Sequence, residues 1–212
     1  MQNYYNQLKK PDFDLARIRA YQLLIQQDRP RLGMNAERII MPGKKIIFDT
    51  LQNYCHITGK CMGEITSNGK IKLGCHLNIN NGLAYIILNN EDIYSFNCEN
   101  WTKIHEIGHV CLNHNNDADK EEVEANFFTA CFTMPDAIIK YFMDRGYEVN
   151  EQFLTQYFKV SPDAASRKLI SLKSYIPTTN YDNQIIGLLW RDINIIKRDI
   201  ELSEQLNYIY AL

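Results

Sequence analysis

The pentapeptide His105-Glu106-Ile107-Gly108-His109 is the feature that most constrains this chain. On an α-helix, residues four apart lie one turn apart on the same face. His105 and His109 can therefore aim two imidazoles at one point, with Glu106 one residue round beside it. Two imidazole nitrogens and a nearby carboxylate are what a catalytic zinc ion requires: the ion lowers the pKa of a bound water towards about 7, and the glutamate takes its proton as general base. The pattern fixes only three positions and also arises by chance on amphipathic helices, where it means two ordinary histidines. Its surroundings argue for the metal. Trp101, Ile104, Gly108 and Leu112 form an apolar stripe along which both histidines lie, and polar groups near a core are costly without a partner. Gly108 costs about 1 kcal/mol relative to alanine in a helix interior, so a close approach by another segment is expected there.

A third ligand is needed, and the next helical stretch offers Glu121, Glu122 and Glu124. At 100° per residue, Glu122 shares a polar stripe with Asn126, Thr129 and Thr133 that could face the cleft. Glu124 points into the apolar arc of Phe127, Phe128 and Cys131, where it could be a buried ligand. Both readings stand on spacing alone. Glu122 is preferred because Asn126, one turn on, could hydrogen-bond a ligand histidine and orient it.

The rest of the chain reads as α+β. Apolar spacing predicts a helix over 13–27 and another over about 44–54, after the Pro42-Gly43 turn signal. Alternation at Ile71-Lys72-Leu73, the turn signal Asn80-Asn81-Gly82 and the β-rich run 84–88 predict a small antiparallel sheet of about three strands. Helices follow from Asn100, read as an N-cap, to Leu112, then over 119–134 up to Pro135, and over 137–143. With 45% hydrophobic and 23% charged residues in 212, the chain reads as globular. A net charge of −2 gives no case for nucleic acid or an anionic membrane. No apolar run approaches the roughly 18 residues of a spanning helix, and the first residues lack the build of a signal peptide. A cytoplasmic protein is expected, with its cysteines reduced. Cys55, His56, Cys61, Cys75 and His76 form the nearest thing to a second Cys/His cluster, but without the regular spacing of a structural zinc site.

The run Glu122-Val123-Glu124-Ala125-Asn126 resembles the element that supplies the third ligand in thermolysin-type zinc peptidases. Taken from Trp101 through to Met134-Pro135, the wider pattern resembles the ImmA/IrrE family of bacterial metallopeptidases. The resemblance implies a small sheet packed with a zincin-like two-helix active-site unit, one zinc ion per chain, His105, His109 and Glu122 as its ligands, and Glu106 as the catalytic acid/base. It also implies a protein substrate, a helix-turn-helix transcriptional repressor whose cleavage releases genes.

These readings divide the chain into a metallopeptidase domain, 1–145, and a helical region, 146–212. Within the latter, 149–175 is helix-turn-helix-like, entered through Ser161-Pro162, with only a mild basic tilt from Arg167, Lys168 and Lys173. DNA binding is therefore not the expected role. A long amphipathic helix is expected over 182–210, its apolar face covered by the catalytic domain or by a second copy in a homodimer. Two other functions stay open on the sequence: a non-proteolytic regulator that binds DNA or protein through a structural zinc site, and a zinc hydrolase of small amides.

Overall fold

The computed structural model describes residues 10–60, 73–80, 82–89, 93, 95–114, 118–172 and 178–210. Sequence expectations at Cys61, Ile71-Lys72, Asn81 and 173–175 lie outside these residues. Strand β1 (Lys45–Thr50) leads into helix α2 (Leu51–Thr58), and β2 (Gly74–Asn80) precedes β3 (Leu83–Leu88). The sheet has the order β1-β3-β2, with β2 antiparallel and β1 parallel to the central strand. It is thus a mixed sheet rather than a wholly antiparallel one. The expected helix over 44–54 is half strand because Ile46-Ile47-Phe48 is a β-branched and aromatic run that extends well beside β3. Thr50 ends it and caps α2, accepting the Asn53 N–H. β3 lies between two strands, and Ala84, Ile86, Ile87 and Leu88 are all buried, so both its faces are covered.

Against the sheet lies α3 (Phe96–Leu112), which carries the pentapeptide; α4 (Asp119–Thr133) and α1 (Phe13–Ile25) pack with it and with each other. α3 begins one turn earlier than expected. Ser95, not Asn100, is its N-cap, accepting the Cys98 N–H at 3.2 Å. Asn100 is inside the helix and buried, where Oδ1 accepts the Ala36 N–H at 2.7 Å and Nδ2 donates to the Met34 carbonyl at 3.1 Å. Gly108 provides the close approach inferred for it: a Cβ there would stand 2.9 Å from Phe128 Cδ1 on α4.

Helices α5 (Asp136–Met143), α6 (Glu151–Phe158), α7 (Pro162–Leu172), α8 (Asp182–Leu188) and α9 (Trp190–Tyr210) complete the described chain. The helix expected over 182–210 is interrupted at Leu189, two residues after Gly187, the poorest helix former in that stretch. Ile185, Leu189, Ile193 and Ile196 enter the same buried cluster as Ala16, Ile104, Phe128 and Ile138. Asp136 ties three helices together, accepting from Arg17 Nε of α1 at 3.1 Å and Lys168 Nζ of α7 at 2.6 Å. Lys168 is therefore spent internally. Arg167 pairs with Asp163, so both of the described residues behind the basic tilt are matched by carboxylates. No described helix is long and apolar enough to cross a membrane.

Candidate metal centre and active site

His105 and His109 project from successive turns of α3 so that their Nε2 atoms lie 3.1 Å apart. Glu122, in the first turn of α4, brings Oε2 to 3.3 Å from His105 Nε2 and Oε1 to 3.7 Å from His109 Nε2. Among the described residues these three form one group able to offer a metal ion three ligand atoms, all within 4.8 Å of one another. A tetrahedral zinc ion with ligands about 2.0–2.1 Å away holds them about 3.3 Å apart, so the donor set fits in spacing and in chemistry. Without an ion, two imidazole nitrogens at 3.1 Å need a hydrogen on one of them, and the carboxylate beside them favours any cation. His109 is 1% exposed, and burial, reinforced by the neighbouring His105 and His76, pushes its pKa down to about 3. Its ring is therefore neutral at physiological pH, as a metal ligand must be.

Glu106 is buried beside the group, with its carboxylate held from the sheet. His76 of β2 sets Nδ1 at 3.2 Å from Glu106 Oε2 and Nε2 at 3.3 Å from the His114 carbonyl. A carbonyl only accepts, so Nε2 carries a hydrogen, and the Nδ1 contact needs a second hydrogen on one of its two partners. The His76 ring also stacks on His109 at 4.9 Å. Glu106 can approach β2 because Gly74 has no side chain: a Cβ there would meet Thr102 Cγ2 at 2.8 Å and Glu106 Oε1 at 3.2 Å. Gly74, Trp101, His105, Glu106, Glu122 and Asn126 line one open cleft of about 390 Å³.

The alternative carboxylate, Glu124, is turned away from His105. It is 5% exposed, as its place on the apolar arc implies, and its Oε2 is 3.1 Å from His114 Nε2. Burial alone would raise its pKa, but the Asp12 N–H, Lys120 and His114 outweigh that and hold it low. For His114 the balance is reversed: burial outweighs the contact with Glu124 and depresses the pKa.

The polar stripe expected on α4 is shorter than its spacing suggested. Thr129 and Thr133 are buried, and their hydroxyls donate to the carbonyls of Ala125 and Thr129 one turn back, which removes them from the cleft. Asn126 reaches the cleft, yet its Nδ2 donates to the Glu122 carbonyl at 2.9 Å rather than to a histidine. Of the second Cys/His cluster, His56 is exposed, and His76 serves Glu106.

Sequence reasoning missed His76 and His114 as parts of the site. His76 comes from a strand whose register to α3 no local spacing encodes. His114 carried a signal that could have been read: it follows Asn113, a residue type suited to a left-handed helix end.

Residues 77–169 match the family model of the IrrE N-terminal-like domain, a peptidase family (Peptidase_M78), which agrees with the resemblance drawn from the motif residues. No curated protein matches the chain.

Proposed function

With residues 77–169 matching the IrrE N-terminal-like domain, we propose that this chain is a zinc-dependent endopeptidase and that its substrate is a helix-turn-helix transcriptional repressor. The observation that carries the reading is the convergence of His105 Nε2, His109 Nε2 and a Glu122 oxygen within 4.8 Å, with the Glu106 carboxylate next to them. His105, His109 and Glu122 hold the ion. Bound there, zinc would supply the Lewis acidity that makes a water nucleophilic near neutral pH.

The remaining work falls to the chain's own residues. Glu106 removes the proton of the attacking water and delivers it to the leaving amine. His76 fixes Oε2 of that carboxylate, and the wall at Gly74 leaves room at Oε1. Among the described residues β2 is an edge strand beside the cleft, so an extended peptide can lie along it with backbone hydrogen bonds. A protein substrate suits this geometry better than a small amide, which would need an enclosed pocket.

The test uses the zinc-loaded full chain, a helix-turn-helix repressor encoded next to its gene, and unfolded casein as a control. The wild type should cut the repressor at a defined bond. Glu106→Gln should retain zinc and lose at least ~100-fold in rate, the lower range for a general base. Cleavage by Glu106→Gln at the wild-type rate would overturn the mechanism, and cutting of casein alone would overturn the substrate class.

A further inference from the structure

The end of α3 is built as a turn that sends the chain back over its own last histidine. Asn113 adopts the left-handed conformation (φ 54°), and its N–H bonds the Val110 carbonyl, while the His114 N–H bonds the His109 carbonyl at 3.0 Å. This pair of bonds is the Schellman pattern. It sets the His114 ring edge-on to His109, with the two Nδ1 atoms 3.0 Å apart. On its far side, His114 Nε2 meets Glu124 Oε2 at 3.1 Å. The other oxygen of Glu124 accepts the Asp12 N–H at 2.6 Å and pairs with Lys120 at 3.3 Å.

With each ring carrying a single hydrogen, the hydrogen count along this chain has one solution. Glu124 accepts the Asp12 N–H and pairs with the Lys120 ammonium at Oε1, which keeps it a carboxylate, so its Oε2 accepts as well and His114 carries its hydrogen on Nε2. A neutral imidazole has a single N–H, so His114 Nδ1 is bare and accepts. Only His109 Nδ1 can donate to it. His109 then has its lone pair on Nε2, the atom that faces His105 and Glu122.

We infer that His114 and Glu124 form a positioning relay that locks His109 in the tautomer and orientation of a metal ligand. The inference rests on the zinc reading of the site and deepens it. It also gives Glu124 a role other than that of a ligand: it acts on the metal through two imidazoles. Because its Oε1 is held by Asp12, the N-cap of α1, the relay is anchored in a third helix.

Two measurements on the full chain test this. The first is long-range ¹⁵N correlation of the histidine rings in the zinc-loaded protein. His114 should show a protonated Nε2 and a bare Nδ1; a hydrogen on His114 Nδ1 would overturn the relay. The second is zinc affinity, by competition with a chromophoric chelator, for His114→Asn, His114→Gln and His114→Phe. Asparagine keeps an acceptor near the Nδ1 position and should stay close to wild type. Glutamine and phenylalanine lose that acceptor and should bind zinc about 10–100-fold more weakly, the usual effect of losing an outer partner. A merely space-filling role would rank phenylalanine first, and that order would overturn the inference.

His105→Ala separates the two levels of the argument. If it loses zinc while His114→Phe binds as tightly as wild type, the relay alone falls. If wild type binds no zinc, the site and the relay fall together. Should the phenylalanine variant not fold, the glutamine variant and the wild-type ring spectrum decide.

Discussion

Replacing Gly108 by alanine tests the packing that brings the two site helices together. The perturbation sets two opposing terms against each other. Alanine in a helix interior gains about 1 kcal/mol over glycine. The new Cβ, however, would stand 2.9 Å from Phe128 Cδ1, 3.3 Å from Phe128 Cγ and 3.4 Å from the Ala125 carbonyl oxygen. Phe128 has no exposed surface and stacks on Phe132 at 6.4 Å, so its ring cannot step aside alone. Overpacking of this kind costs about 1–3 kcal/mol. The clash should win, leaving a net loss of about 1 kcal/mol, and Tm should fall by about 2–4 °C in a chain of this size. Urea unfolding followed by circular dichroism measures it. Phe128→Leu in the same background removes the obstructing ring edge, so the double variant should be less destabilised than the sum of the singles by about 1 kcal/mol. A Gly108→Ala protein as stable as wild type, with strictly additive behaviour in the double variant, would refute the reasoning.

Asp136→Asn should be among the most damaging surface-remote changes, because it leaves Arg17 and Lys168 buried without the carboxylate that both contact. A loss of about 3–5 kcal/mol in urea unfolding is expected, and near-wild-type stability would contradict it. Removing metal with EDTA should abolish cleavage and leave the far-ultraviolet circular dichroism unchanged. Readdition of zinc to about a hundredfold above its Kd should raise stability by about 2.7 kcal/mol, since only the folded chain holds all three donors together. Identical Tm values with and without zinc would contradict the site.

Much of this architecture was legible because it is local. The four-residue spacing of His105 and His109 and the single glycine between them foretold a helix that another helix would approach. The same helical geometry separated Glu122 from Glu124 by about 200° on α4, which limited the third donor to two candidates without choosing between them. What spacing could not reveal was tertiary. Ile46, Ile47 and Phe48 favour a strand by residue type, but a short apolar run after a turn signal also reads as the start of a helix, and pairing with β3 decides. Thr129 and Thr133 look like cleft residues by period, but their hydroxyls are satisfied by their own helix, so they can be buried at little cost. His76 reaches Glu106 across thirty positions of sequence. Such a contact leaves no mark in either segment alone.

The central claim is that one zinc ion sits between α3 and α4. Anomalous diffraction from zinc-loaded crystals, collected on both sides of the zinc absorption edge, tests it most directly. The account predicts a single peak per chain, bonded to His105 Nε2, His109 Nε2 and a Glu122 oxygen, with Glu124 outside bonding distance. A peak bonded to Glu124 or His76 in place of Glu122, or no peak between the two helices, would contradict it.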